Sequence, residues 1–314
     1  MPFPTLVSGR VDTLVTNVLQ AYTNENFIAG KILPTIPNLA EESGKIGGIS
    51  NDHLRVYTSK RGVYDENQHR MEFKYTQDDS YQIEYCDLEV YVPDRLAKQV
   101  QKPFVAKRDA GIVTLQALML EREVALATAM TSTAILTNNT TLSGTSQYSD
   151  FVSSTPEDDF ETARTTIQAA TGREANSVYM SRKVFNTLKR HPFFLNLVKG
   201  IKVFSGSALV ELIKDYFEVK NVFVGSAIKV TSAEGQSETK GSVWGNDVVF
   251  FYRPDSASLF EPSFGYQFAL SDMNLRADVR RHENDLGDIV RTMWAYQDKI
   301  LDTNCAYLIK DAVA

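Results

Sequence analysis

The sequence has little of what catalytic, metal-binding and disulfide-stabilised proteins are built from. Its 314 residues include two cysteines, Cys86 and Cys305, which lie far apart, and four histidines that are isolated from one another. This cysteine usage indicates a reducing compartment and excludes a disulfide framework. The motifs GxSxG, HExxH, GxGxxG and CxxC and a P-loop are absent. The sequence therefore predicts no enzyme, no cofactor and no metal site.

Long apolar runs and an excess of basic charge are missing as well. No apolar run approaches the ~20 residues needed to span a bilayer, and the N-terminal residues do not resemble a signal peptide. The formal net charge of −6 argues against a protein that binds nucleic acid through phosphate contacts. Because 43% of the residues are hydrophobic, we expect a globular protein with room for two packed domains, made in a cytoplasm and without a membrane partner.

Residues 107–134 lack proline, contain a single glycine, and predict a long helix. Apolar side chains recur there at steps of three, four and seven and form two adjacent rows. The rows are Ile112, Leu115, Met119, Leu126 and Met130, and Val113, Ala117, Leu120, Val124 and Ala127. At ~1.5 Å per residue such a helix is ~40 Å long. Since about half of its circumference is apolar, other elements must cover it.

The N-terminal part of the chain has little apolar content beyond a short helix predicted within residues 5–30. Pro34 and Pro37 follow, and two prolines this close predict an extended segment without regular pairing, either a linker or an arm lying on another surface. Residues 44–80 are polar, densely charged and rich in turn signals. Such a stretch cannot form its own core, so it is either a mobile excursion or a hairpin that becomes ordered against a partner.

From residue 81 onward, helical and strand patterns follow one another irregularly, which indicates an α+β protein. Residues 81–92 predict a strand with a bulge near Cys86, and residues 137–155 predict an exposed loop. The later patterns predict a helix from Pro156 to Gly172, a strand at 177–180, helices at 181–188, 194–198 and 207–217, strands at 221–224, 243–244 and 248–252, a hairpin of 273–281 with 289–301, and a last strand at 306–309.

Two charged clusters leave a choice between a binding site and a solvated turn. Lys60 and Arg61 could bind an anion, although a solvated loop is the simpler interpretation. Residues 282–285, His-Glu-Asn-Asp, could form a metal or acid–base cluster, although the tip of the predicted hairpin favours a solvated turn. Neither cluster indicates a function by itself.

A series of short stretches spans nearly the whole chain. These are YTNENFIAGKILPTIP at 22–37 with SGK at 43–45, YCDLE at 85–89, LERE at 120–123, ATGREANS at 170–177, LKRHP at 188–192, SVWGN at 242–246, DKI at 298–300 and AYLI at 306–309. In this order they resemble the major capsid proteins of tailed phages, which have the Hong Kong 97-like fold. The resemblance implies a non-enzymatic subunit of an icosahedral head shell that encloses double-stranded DNA without sequence-specific binding.

The resemblance also implies a role for each section of the chain. Residues 1–37 would be the N-terminal arm, and residues 38–80 the extended loop that lies over a neighbouring subunit. A peripheral domain would comprise 81–150 and 254–301, with the spine helix at 107–134. An axial domain of 151–253 and 302–314 would meet its copies around five- and six-fold axes.

The partners implied are further copies of the chain, as pentamers and hexamers, with a separate scaffolding protein, a portal protein and a decoration protein. The subunit would be assembled in the cytoplasm of a bacterial host and located in the virion capsid. The residues implied at intersubunit contacts are Pro34, Pro37, Lys60, Arg61, Arg70, Glu121, Arg122, Glu283 and Asp285. Two alternatives remain: an encapsulin-like cellular compartment with the same fold, and, in a different class, a soluble enzyme with a site in residues 151–253.

Overall fold

The computed structural model describes residues 12–22, 24–49, 75–99, 105–197, 206–233, 235–256, 262–270, 275–282 and 286–314. Within them the helices are α1 (Thr13–Ala21), α2 (Ala29–Ile32), α3 (Asp94–Gln99), α4 (Ala106–Met130), α5 (Pro156–Thr171), α6 (Arg182–Leu188), α7 (Pro192–Leu197) and α8 (Gly206–Tyr216). The strands are β1 (Thr35–Leu39), β2 (Ser43–Ile49), β3 (Tyr75–Gln82), β4 (Glu84–Pro93), β5 (Asn139–Thr141), β6 (Ser177–Ser181), β7 (Asn221–Gly225), β8 (Ile228–Val230), β9 (Lys240–Ser242), β10 (Val248–Phe251), β11 (Gly265–Leu270), β12 (Arg276–His282), β13 (Gly287–Ile300) and β14 (Ala306–Lys310). The α+β class is confirmed.

The helix predicted at 107–134 is α4, which ends earlier than predicted, at Met130. Thr131 closes it by donating its backbone N–H to the carbonyl of Ala127 at 3.0 Å. At its start, Asp109 accepts a hydrogen bond from the backbone N–H of Val105 at 3.1 Å. The 25 residues of α4 give a rod of ~37 Å.

Different elements cover the two halves of α4. The first half packs against α1 and β12 in a buried cluster of Val15, Leu19, Leu115 and Ala277. The second half packs against α2 and a second sheet through Leu126 and Met130. α4 therefore connects two separate cores, mainly through its first apolar row. The second predicted row is largely uncovered in the subunit, since Val113 and Ala117 are exposed and only Ala127 of that row is buried.

The first sheet is built on β13. β4 pairs along one side of β13, β12 and then β11 pair along the other, and β1 adds to β11 in parallel. One face of β13 points to α4, where the hydroxyls of Thr292 and Thr114 lie 2.7 Å apart. The opposite face buries Ala295 against Ile83 and Phe268. The predicted 273–301 hairpin is thus found as β12 and β13, packed beside the long helix.

Two expectations about this sheet are wrong. β4 pairs with β13 without a register shift from Glu84 to Pro93, so the strand has no bulge at Cys86. The interruption falls instead at Ile83, between β3 and β4. The backbone N–H of Ile83 donates to the carbonyl of Glu42 at 2.8 Å, which redirects the chain from one pair of strands to the next.

The prolines at 34 and 37 do not prevent pairing either. β1 lies parallel to β11, with Thr35 opposite Gln267, and its register is irregular between Ile36 and Leu39. Pro37 has no N–H to donate at that point. β1 is an edge strand, the place in a sheet where proline is tolerated.

The second sheet has the strand order β5–β14–β10–β6–β7 and is covered on both faces. Alternate residues of its strands point to opposite sides. On one side α5, α6 and α8 cover Val178, Met180, Val248, Phe250 and Ile309. On the other side α2 and α4 cover Tyr179, Val249, Phe251, Ala306 and Leu308. Because the central strands β14, β10 and β6 are buried on both faces, they appear in the sequence as nearly continuous apolar runs. The edge strand β5 is polar and largely exposed.

Two segments around this sheet differ from expectation. Residues 137–155 are more than an exposed loop, because β5 pairs in parallel with β14 and the ring of Tyr148 is fully buried. Residues 243–244, predicted as a strand, form bends between β9 and β10. β10 lies between β14 and β6, while β9 pairs with β8.

The helix ends around this sheet follow the sequence closely. Pro156 opens α5, and Gly172 ends it in the left-handed conformation with φ of 69°. The Ser181 hydroxyl accepts the N–H of Val184 at 3.3 Å and caps α6.

Candidate functional site

A buried carboxylate in the second half of α4 joins three parts of the chain. The side chain of Glu123 accepts the backbone N–H groups of Ile28 at 2.9 Å and Ala29 at 2.8 Å, at the start of α2. It also accepts the indole N–H of Trp244 at 2.6 Å. Burial raises the pKa of Glu123, and the three donors act in the opposite direction. Glu123 therefore ties the N-terminal segment and the loop before β10 to the long helix.

Arg122, the preceding residue, connects α4 to the first sheet. Its guanidinium donates to Asp298 at 2.6 and 2.9 Å and lies 5.3 Å from the ring centroids of both Trp294 and Tyr296. The Arg122 and Asp298 side chains are only 6% and 14% exposed, so solvent screens this pair weakly. We name the group formed by Arg122, Glu123, Trp244 and Asp298 the spine joint.

β2 and β3 form a separate antiparallel pair, and one end of this pair packs against the first sheet. The ring of Tyr81 stacks on that of Phe268, with centroids 4.9 Å apart and planes 4° from parallel. The backbone N–H of Gln82 donates to the side-chain oxygen of Gln297 at 2.8 Å. Lys299 forms an ion pair with Asp79 at 3.1 Å. The direction in which this pair leaves the sheet is therefore set by packing within the subunit.

Exposed ion pairs cross from β12 and β13 to β4. Arg280 lies 2.8 Å from Glu89, and Arg291 lies 2.6 Å from Asp87. Pairs this exposed contribute little to the stability of a subunit. Their arrangement provides a patterned charged surface on which a partner can be oriented.

Large apolar side chains are also exposed on several elements. They include Leu14 and Val18 on α1, Tyr85 and Tyr91 on β4, Phe151 and Val152 before α5, Leu195 and Leu197 on α7, and Ile228 and Val230 on β8. Ile228 and Val230 share one face of the β8–β9 pair and are 61% and 53% exposed. A two-stranded pair gains little stability alone, so an open apolar face on it is typical of an association surface.

The predicted contact residues fall in different environments. Pro34 is half-buried and Pro37 is exposed in β1. Glu121 is exposed on α4, at a cavity of about 260 Å³ that Cys86 also lines. Arg122 is buried and already paired with Asp298, and its role as an intersubunit contact stays a prediction. The remaining predicted contacts, Lys60, Arg61, Arg70, Glu283 and Asp285, lie outside the described residues.

The chemistry available to the described residues is limited. Among them, no group of three or more histidine, cysteine, aspartate or glutamate side chains is placed to hold a metal ion. No helix in this part of the chain is both long and apolar enough to cross a bilayer. Cys305 is buried and Cys86 half-buried, and burial raises the pKa of both thiols, which keeps them protonated and weakly nucleophilic.

Sequence reasoning overlooked the importance of Glu123 and Trp244. A signal was present, because Glu123 lies four residues after Met119 and four before Ala127, on the apolar side of the helix. A charged residue in an apolar row predicts a buried carboxylate with several donors. The identity of those donors could not be predicted, since they come from distant parts of the chain.

The architecture described above, a long helix joining two sheets with an extended strand pair, is the Hong Kong 97-like fold of phage capsid proteins. No protein-family model matches the chain. The chain is 26% identical over 307 residues to the major capsid protein of Burkholderia phage BcepMu, covering 95% of both proteins. It is 24% identical over 261 residues to the major capsid protein of Pseudomonas phage JBD67, covering 80% of this chain and 78% of that protein.

Solved structures agree with this result. A phage-related protein from Bordetella bronchiseptica RB50 has 26% identity and a TM-score of 0.76, covering 97% of this chain and 98% of that one. A capsid protein of cyanophage P-SCSP1u has 12% identity and a TM-score of 0.55, covering 89% and 86%. The SrpI encapsulin of Synechococcus elongatus PCC 7942 has 9% identity and a TM-score of 0.54, covering 93% and 89%. The last two show the fold alone, while the curated relatives confirm the predicted resemblance to phage major capsid proteins.

Proposed function

We propose that this chain is the major capsid protein of a tailed phage, the subunit that self-assembles into the head shell. The observation that carries the proposal is the full-length similarity to the major capsid protein of phage BcepMu. The structure supports it in two ways. The β2–β3 pair extends from the first sheet, and several elements carry exposed apolar side chains, and both features suit a subunit whose surfaces are buried by neighbouring subunits. In such a shell identical contacts repeat by rotation and close into rings, here pentamers and hexamers.

The two sheets support the proposed domains. β4, β11, β12 and β13 lie within 81–150 and 254–301, the ranges of the peripheral domain. β6, β7, β10 and β14 lie within 151–253 and 302–314, the ranges of the axial domain. β5 pairs with β14 although its residues fall in the peripheral range, which favours moving the boundary to before β5.

The proposed extended loop, residues 38–80, contains β2 and most of β3. The β2–β3 pair packs on the first sheet of its own subunit through Tyr81. The sequence that connects β2 to β3 is polar. A polar stretch without a core becomes ordered by docking, so we assign it the role of lapping over a neighbouring subunit. Residues 1–37 would be the arm, of which α2 and β1 belong to the subunit core.

The proposed shell encloses double-stranded DNA without sequence-specific binding. A net charge of −6 suits that role, because few phosphates are neutralised and the packed DNA does not adhere. A separate scaffolding protein, a portal protein and a decoration protein are the proposed partners, with assembly in the host cytoplasm. The chain itself would perform no catalysis.

Electron microscopy of the purified, concentrated protein tests the proposal. We expect ring-shaped capsomers or closed shells, with scaffold-containing lysate added if the protein alone stays dispersed. Packaged DNA and a portal in particles from infected cells would distinguish a phage head from an encapsulin-like compartment. A small discrete oligomer that never forms shells, even with scaffold, would contradict both and would favour an enzyme with a site in residues 151–253.

Limited proteolysis tests the proposed arm and loop. We expect cleavage within residues 1–80 in free subunits and protection of the same residues in shells. Equal cleavage in the two states would contradict lapping onto neighbours, whatever the shape of the particles.

Among the predicted contacts, Glu121 offers a direct test because it is exposed in the subunit. Glu121→Lys should lower the yield of shells without changing the thermal unfolding of the free subunit. Glu211→Lys is the matched control, since Glu211 is exposed on another helix, α8, and is not a predicted contact. Equal shell yields from both variants would remove Glu121 from the set of contacts.

A further inference from the structure

His191 lies between α6 and α7 and is only 3% exposed. Its carbonyl accepts the N–H of Leu195 at 3.1 Å, and its ring Nδ1 accepts the N–H of Phe193 at 3.3 Å. Pro192 occupies the first helical position. His191 is therefore the N-cap of α7 and supplies a side-chain acceptor in the way that asparagine or aspartate usually does.

The other ring nitrogen of His191 is also engaged. Nε2 lies 3.1 Å from the hydroxyl oxygen of Ser154, and that hydroxyl donates its own proton to the carbonyl of Asp150. The Ser154 oxygen must therefore accept from Nε2–H. Because Nδ1 accepts from Phe193, the hydrogen bonds assign the neutral tautomer with the proton on Nε2.

This network holds the segment 150–154 against α7. The rings of Phe151 and Phe194 pack edge-on to the His191 ring, with centroids 5.9 and 6.5 Å away. The segment also presents apolar side chains to solvent, since Phe151 is 40% and Val152 is 93% exposed. We call residues 150–154 with α7 the corner.

Charged groups near the ring are few among the described residues. Burial of the imidazole lowers the pKa of His191, and the carboxylate of Glu157 on α5 raises it by a smaller amount. Asp150 directs its carboxylate to the N–H groups of Val152 and Ser153 in its own segment. The basic residues at 189 and 190 belong to the turn that precedes the ring.

We propose that His191 is a pH-operated lock on the corner, closed by the neutral imidazole and opened when Nδ1 is protonated. A proton on Nδ1 removes the lone pair that accepts the Phe193 N–H, so two donors then face each other at 3.3 Å. The positive ring also stands at a helix N-terminus, where cations are unfavourable. The start of α7 must move, and residues 150–154 move with it through Ser154.

The direction of the pH effect follows from the pKa. The pKa of His191 in the folded chain lies below that of an unfolded histidine, about 6.5. The stabilising contribution of the lock is therefore complete above pH ~6.5 and is lost as the pH falls from there through the folded pKa. The inference concerns the subunit itself and holds whether or not the chain forms shells.

The test uses the full-length subunit labelled at histidine and followed by NMR. We expect the His191 ring to show the Nε2–H tautomer at pH 8 and to titrate below 6.5. Amide hydrogen exchange of residues 150–154 and 193–197 should accelerate across the same pH range. His191→Asn retains a capping acceptor but cannot titrate, so at each pH it provides the reference that removes the intrinsic pH dependence of exchange. Relative to it, opening of the wild-type corner should rise about fivefold or more at acid pH, the factor that loss of a typical helix cap gives.

Variants of nearby charged residues test whether titration of the His191 imidazole causes the pH-dependent opening of the corner. Glu157→Gln should shift the transition to lower pH, because it removes the carboxylate that raises the pKa of His191. Glu161→Gln, on the same helix, should leave the midpoint unchanged. The proposal is overturned if the wild-type ring titrates at or above 6.5, or if wild type and His191→Asn exchange equally at every pH. The first of these measurements needs no variant, so the outcome does not depend on whether His191→Asn folds.

Discussion

The Nε1–H of Trp244 donates a hydrogen bond of 2.6 Å to the carboxylate of Glu123, joining residues 121 positions apart in the sequence. The same carboxylate accepts the backbone N–H groups of Ile28, the N-cap of α2, and of Ala29, its first residue. Arg122, the adjacent cation, is paired with Asp298, so Glu123 is compensated mainly by the three N–H donors. This arrangement makes the second half of α4 the point at which the N-terminal segment and both sheets are held together.

Glu123→Ala should destabilise the subunit by about 3 kcal/mol or more, because three buried donors lose their acceptor at once. Urea unfolding of the free subunit, followed by circular dichroism, measures the change. Glu121→Ala is the matched control on the neighbouring exposed position and should unfold close to the wild type. If the two variants have the same free energy of unfolding, the N–H groups of Ile28, Ala29 and Trp244 find other acceptors. The spine joint would then not be what holds these segments to α4.

The Glu123 carboxylate should also leave a signature in the pH dependence of stability. Burial raises the pKa of Glu123 in the folded chain above that of an unfolded glutamate, about 4.3. The folded state therefore binds this proton more tightly, and stability is lost as the pH rises from that value through the higher folded pKa. Glu123→Gln cannot titrate, so the unfolding free energy of wild type relative to this variant should fall over that range. A constant difference would show that the carboxylate is not perturbed by burial.

Asp298→Asn should cost about 3 kcal/mol, because it leaves the guanidinium of Arg122 buried against two rings without its counter-charge. Asp255→Asn breaks the exposed pair with Lys220 and should have no measurable effect. Chemical unfolding of the two variants at the same pH makes the comparison. The double variant Arg122→Met with Asp298→Leu should recover part of the free energy of unfolding that Asp298→Asn loses. If the double variant is as unstable as Asp298→Asn, packing at this position matters more than charge.

Gly225→Ala should destabilise the second sheet by about 1–3 kcal/mol, the usual range for overpacking. A Cβ at this position would lie 2.6 Å from the indole ring of Trp244, whose own position is held by Glu123. Gly206→Ala is the control, since its Cβ would meet Phe185 at an ordinary 3.5 Å. Thermal unfolding monitored by tryptophan fluorescence measures stability, and the signal comes from Trp244 and Trp294 together. If Gly225→Ala melts at the same temperature as the wild type, the Trp244 indole can move at little energetic cost.

Much of the fold was predictable because burial leaves a local pattern. The first apolar row of α4, the proline and glycine that bound α5, and the apolar runs of β6 and β10 are each readable within one segment. The second predicted row of α4 is mostly not buried, since Val113 and Ala117 are exposed. The parts that were missed depend on distant partners. β1 pairs with β11 across more than 200 residues, and a two-proline segment gives no local sign of the strand it will join.

The sequence alone determined the class of the protein, because the lengths of the apolar patterns and the order of the short stretches are properties of the chain itself. It also determined that residues 44–80 have too little apolar content for a core of their own. Only the tertiary structure decided which residues hold the subunit together. The donors to Glu123 lie 94, 95 and 121 residues away, and Arg122 finds its carboxylate 176 residues away. A buried charge is satisfied by whichever groups packing brings within about 3 Å, and no local pattern records that distance.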